Sequence, residues 1–267
     1  MTAKLLGSLT LATGLLLLVQ CGGSSQTPLS AEQKGKVKTV FTSLGDISQA
    51  PVEAKQRSGG GTSSTNALQA LGLSLRAAAD DQSYKSRSLM ADRLTPSACK
   101  IDYEAQKGGL ESGLSGSTRV SGEKCPISLD LSYSGTVIQS EDKDKAVGAI
   151  KFHLAYSVKD PEFKKLTDVD ASEIHASLEA KGESGTFSAN GSIHSQSLGD
   201  IKINGSGGGS SGKVSLQLTF TFPDFVATFQ MEGQQGDKVR LTLNGEELDE
   251  AKLREIGFES ISKTVKN

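Results

Sequence analysis

The chain has 267 residues, 36% of them hydrophobic and 22% charged, which is apolar enough for a folded core and long enough for one large domain. Its formal net charge of −2 lacks the basic excess of a nucleic-acid binder, so no nucleic-acid partner is expected. In chain order, the first element is a targeting segment. Lys4 is the only charge in residues 1–20, and an apolar run from Leu5 to Val19 follows it, the layout of an export signal. A spanning helix needs about 20 apolar residues, whereas this run is shorter and is interrupted by Gly7, Ser8, Thr10, Thr13 and Gly14.

The signal ends in Leu18-Val19-Gln20-Cys21, which resembles the lipobox of bacterial lipoproteins. In that family the cysteine is diacylated on sulfur and becomes the first residue of the mature chain, and the resemblance implies this role for Cys21. Residues 22–27, Gly-Gly-Ser-Ser-Gln-Thr, then read as a flexible tether. Each acyl methylene buried in a bilayer contributes roughly 0.8 kcal/mol, so two or three chains would hold a soluble domain at a membrane surface. The resemblance covers residues 1–27 and implies a lipid-anchored protein of the cell envelope, with the outer membrane as the expected location. Loss of the signal and its one lysine makes the formal charge −3.

With Cys21 assigned to lipid, Cys99 and Cys125 remain as a pair in an oxidising compartment and are expected to form a disulfide. Closing a loop of roughly 25 residues would stabilise the fold by about 3 kcal/mol. The spacing is far from the Cys-x-x-Cys of redox or metal-binding thiols.

After the tether, Ser30-Ala31-Glu32-Gln33 has the form of a capping box, and Val37, Val40, Phe41 and Leu44 recur at helical spacing. This predicts a helix of roughly 14 residues ending near Gly45, ahead of Pro51. Residues 58–64 read as a flexible connector. Leu68, Leu71, Leu75 and Ala78 mark a second helical stretch, and Gln82 to Leu94 allows a third.

From about Ile101 the period changes from helical to two. Ile127, Leu129, Leu131 and Tyr133 alternate with polar residues, as do Ile150, Phe152, Leu154, Tyr156 and Val158. The rhythm recurs at Ile174/Ala176/Leu178, Phe187/Ala189/Ile193, Val214/Leu216/Leu218/Phe220/Phe222, Phe225/Ala227/Phe229/Met231 and Val239/Leu241/Leu243, which predicts about seven amphipathic strands. Short hydrophilic turns between them favour an antiparallel meander. Asn244-Gly245 marks a turn, and Asp249 an N-cap, before a short helix with Leu253 and Ile256 inward and Gly257 at its end.

The expected architecture is α+β: a curved antiparallel sheet or partial barrel, covered on its apolar side by the N-terminal helices and the short C-terminal helix. The expected organisation is residues 1–20 as signal, 21–29 as tether, 30–95 as a helical segment, and 96–267 as the sheet with its C-terminal helix, the last two packing as one domain. A membrane β-barrel also alternates, but 5% aromatics and no Trp leave no material for aromatic girdles.

Most catalytic signatures fail on inspection. Residues 207–214, Gly-Gly-Gly-Ser-Ser-Gly-Lys-Val, nearly spell a phosphate-binding loop, but Val214 stands where Ser or Thr must reach magnesium, and a flexible hairpin loop is the expected reading. Ser-x-x-Lys occurs at Ser97/Lys100, Ser121/Lys124 and Ser210/Lys213 without the companion motifs of penicillin-recognising enzymes. His153, His175 and His194 fall on the water-facing side of three different predicted strands, with Glu173 and Glu179 near His175. They are the candidates for a metal site, though polar residues on a polar face need no metal, and neither metal nor cofactor is expected. A non-enzymatic structural or interaction module, docking on an envelope protein, is the expected function. The alternative is a carrier holding a hydrophobic or lipid ligand against the apolar sheet face.

Overall fold

The computed structural model describes residues 27–58, 81–107, 114–138, 147–181, 184–210, 212–234 and 239–257. The export signal, Cys21 and the helical stretch from Leu68 to Ala78 lie outside the described residues.

Helix α1 spans Ala31–Arg57. The capping box closes as expected: the Ser30 amide donates to Gln33 Oε1 at 2.9 Å, and the Gln33 amide donates to Ser30 Oγ at 3.2 Å. The helix does not stop near Gly45. It continues for 27 residues with Pro51 inside it, at the loss of the bond that a residue there would donate to the Ile47 carbonyl. Burial offsets that loss, because the apolar repeat continues as Leu44, Ile47, Ala50 and Ala54, all buried. Helix α2, Asp81–Arg93, matches the expected third stretch and packs on α1, with Met90 and Leu94 buried and Arg87 bonding to Glu53 and to Gln49.

Among the described residues, eleven strands, each antiparallel to the next, form one sheet in chain order. They are β1 (Lys100–Lys107), β2 (Leu114–Ser121), β3 (Ile127–Ile138), β4 (Val147–Val158), β5 (Val169–Lys181), β6 (Ser184–Ser195), β7 (Gly199–Ser210), β8 (Lys213–Thr221), β9 (Val226–Gln234), β10 (Arg240–Leu243) and β11 (Glu246–Glu247). A single turn of helix, α3 (Pro161–Lys164), lies between β4 and β5, and α4 (Glu250–Glu255) follows β11. The class is α+β as expected, but the sheet is open, with β1 and β11 at its edges, and exceeds the seven strands that hydrophobic alternation picks out.

The additional strands are β1, β2, β7 and β11. In β7 only Ile201 and Ile203 alternate as core residues, and Gly205 and Gly207 take the next two inward positions. A Cβ on Gly205 would lie 2.9 Å from Leu218 Cδ1 and 3.0 Å from Ala189 Cβ, so the neighbouring strands fill that space. Residues 207–209 are therefore part of a strand paired on both sides, and Ser210 pairs with Lys213 of β8, so this stretch is not a flexible loop. Gly212, just before β8, has φ 79°.

Alternation assigns the two faces as expected. Leu218, Phe220 and Phe229 are fully buried, Leu154 is buried, and Phe152 packs against the same core. Lys151, His153, Gln217, Thr219 and Gln230 occupy the intervening positions on the other face. Phe41 of α1 meets the rings of Phe220 and Phe229 edge-on, at centroid distances of 5.3 and 5.7 Å. Asn244 and Gly245, with φ 46° and 80°, form the tight β10–β11 turn, and Asp249 Oδ1 accepts from the Lys252 amide at the start of α4.

Three inward hydroxyls, those of Tyr133, Tyr156 and Ser172, are buried without compensation among the described residues. The Tyr156 hydroxyl is buried opposite Ser172 and has no hydrogen-bond partner among the described residues. Burial pushes its phenol well above the ordinary value, and the Asp170 carboxylate adds to the shift. An unpaired buried hydroxyl is a cost, so Tyr156→Phe should leave stability unchanged or raise it by up to about 1 kcal/mol. Urea unfolding tests this, and a loss larger than that would show that the hydroxyl is paired in solution.

Candidate functional site

The water-facing side of the sheet is built from polar rows that run across the strands. In the central row, Ser132, His153, His175 and Asn190 stand directly opposite one another on β3, β4, β5 and β6, and Asn204 and Thr219 extend the row onto β7 and β8. The adjacent row carries Ser134, Lys151, Ser177, Ser188, Ser206 and Gln217 in the same way. Period-two alternation puts these residues on one face, and the strand register, without a slip over this stretch, sets them opposite one another.

A shallow depression of about 330 Å³ lies where these rows cross β3 to β6, lined by Ser134, Lys151, His153, His175, Ser188 and Asn190 among others. Within it the two imidazoles stack, with ring centroids 4.6 Å apart and planes 16° from parallel. Glu173 is two residues before His175 on the same face and diagonal to His153. Its Oε1 lies 2.9 Å from Nε2 of each histidine. The ligand-capable atoms of the three side chains all fall within 4.8 Å of one another.

Of the candidate histidines, the structure brings together His153 and His175 but not His194. His194 sits near the far end of β6, its Nδ1 2.8 Å from Asp200 Oδ1 and its Nε2 3.8 Å from Asp170 Oδ1. A bulge between Val169 and Ala171 sets its register there. Glu179, opposite Ala149, lies further along β5 and is not part of the cluster. No short motif marks the pair, since His153 and His175 are neighbours only through the β4–β5 pairing.

Cys99 and Cys125 also meet as expected, with sulfurs at 2.07 Å and Cα atoms at 4.7 Å, and both are buried. The approach needs glycine at Gly122, where φ is 145° and a Cβ would lie 2.5 Å from the Ala98 carbonyl oxygen. Ser210 and Lys213 face each other across the β7–β8 turn instead of along a helix, and Lys100 pairs with Asp102 at 2.7 Å. No family model, curated protein or solved structure matches the chain.

Proposed function

We propose that the chain is the precursor of a lipid-anchored envelope protein, acylated at Cys21, whose domain works without catalysis as an interaction module. The observation that carries this reading is the division of labour between the two sheet faces. The apolar face is taken up by α1, with Phe41 seated on Phe220 and Phe229. The opposite face offers rows of Ser, Thr, Asn, Gln and His, with Lys151 among them, around a depression, material for hydrogen bonding to a protein surface. A carrier for a hydrophobic ligand has less support, because Phe41 fills the place over the aromatic pair where a ligand would lie.

Two measurements test the proposal. The intact mass of the mature protein from its own cells should show an N-terminal Cys21 bearing acyl chains, and an unmodified cysteine or cleavage elsewhere would remove the lipoprotein assignment. A photocrosslinking residue placed at Ser177 or Asn190 should then give a discrete protein adduct in cells, while the same residue at Glu162, exposed on α3, should give none. Equal labelling at both places, or a lipid retained in native mass spectra with no adduct, would overturn the interaction module.

A further inference from the structure

We infer that His153, Glu173 and His175 form a binding site for a divalent transition metal of the zinc type on the polar face of the sheet. The inference rests on the convergence of three donors and holds whether or not the domain is lipid-anchored or docks on a partner. Both imidazoles place Nε2 at 2.9 Å from one carboxylate oxygen, and the His153 contact is aligned as a hydrogen bond. The two nitrogens and the carboxylate oxygen therefore border one small volume, which is what a shared cation requires. With metal–ligand bonds of about 2.0–2.2 Å, neighbouring donors around zinc lie roughly 3 Å apart, so a small outward shift of the Glu173 side chain would let the ion enter.

The backbone supplies preorganisation. β4 and β5 are interior strands, each hydrogen-bonded on both sides through this stretch, and His153 and His175 are directly paired across them. Glu173, His175 and His153 all lie on the same face, with no loop between them whose closure would have to be paid for on binding. The site opens into the depression lined by Ser188 and Asn190, which leaves room for water or a donor from a partner in a fourth position. Three protein ligands with one open position is the pattern of an accessible zinc site, in contrast to the closed four-ligand pattern of a structural one.

The donor types set the choice of ion. Two imidazole nitrogens and one carboxylate suit Zn²⁺, Cu²⁺ or Ni²⁺, while Mg²⁺ and Ca²⁺ prefer all-oxygen cages. His194 is a built-in control, since it has carboxylate neighbours in Asp170 and Asp200 but no second imidazole.

The test is titration of the mature full-length protein with ZnCl₂ by isothermal calorimetry, alongside the imidazole ¹⁵N resonances. The expected result is a single Zn²⁺ per chain, with shifts confined to His153 and His175 and no binding of Mg²⁺. Glu173→Gln and His175→Ala should each weaken binding by at least about tenfold, which is the lower end of what even outer-shell changes cost. His194→Ala should leave it unchanged. Glu173→Gln is an exposed, near-isosteric change that keeps the fold, so its result stands even if a histidine variant is unstable. Absence of binding at millimolar zinc, or binding that survives Glu173→Gln and His175→Ala undiminished, would overturn the site.

Discussion

Phe220→Ala should lower the stability of the domain by about 3–5 kcal/mol, because the change removes a buried ring and leaves a cavity whose walls cannot collapse. Phe220 is fully buried and forms a triangle with Phe41 and Phe229, all three contacts edge-on, with centroids 5.3, 5.7 and 5.9 Å apart. Two corners of the triangle stand on neighbouring strands and the third on α1, so the loss falls on the contact that fastens helix to sheet. Leu218→Ala, at a site with no exposure, should cost about 2–5 kcal/mol for the same reason. On the opposite face, Gln217→Ala should stay within about 0.5 kcal/mol of wild type, as surface changes do. Urea midpoints at constant m-value are the measurement. A loss below about 1 kcal/mol at Phe220 would mean that the ring borders open space, and the carrier reading would then gain the support that it lacks here.

The same triangle shows what could be read in the sequence and what could not. Phe220 and Phe229 were legible as inward residues because strict alternation leaves only one face for them. Phe41 was legible as one side of a helix, but its partners on β8 and β9 were not, since nothing local encodes which helix meets which strand. The strands without apolar alternation escaped. Gly205 and Gly207 of β7 carry no side chain, and the core at Gly205 is supplied by Leu218, Ala189 and Phe187 from adjacent strands. The helix end was misplaced for a related reason. Pro51 is a local stop signal, yet Ile47, Ala50 and Ala54 extend the buried stripe past it, and tertiary packing overrides propensity. At the candidate site the three histidines could be placed on the polar face, but which of them meet depends on register, which alternation does not determine.

Removing the Cys99–Cys125 link should be the second large effect, a loss of about 3 kcal/mol. The two residues are 26 positions apart, and constraining that loop in the unfolded chain accounts for a value of this order. The place of the bond adds a structural consequence. Cys99 precedes β1, an edge strand held on one side only, and Cys125 lies in the turn between β2 and β3. The link therefore pins the edge strand of the sheet to the turn between β2 and β3. In a Cys99→Ala/Cys125→Ala variant, amide exchange should rise first along Lys100–Glu104, ahead of global unfolding, while β5 to β8 keep their protection. Alkylation of the denatured but unreduced wild-type protein should label neither residue, and labelling should appear only after a reductant. Two free thiols in the native protein, or a variant whose unfolding midpoint matches the wild type, would show that the edge of the sheet is held by its ladder alone.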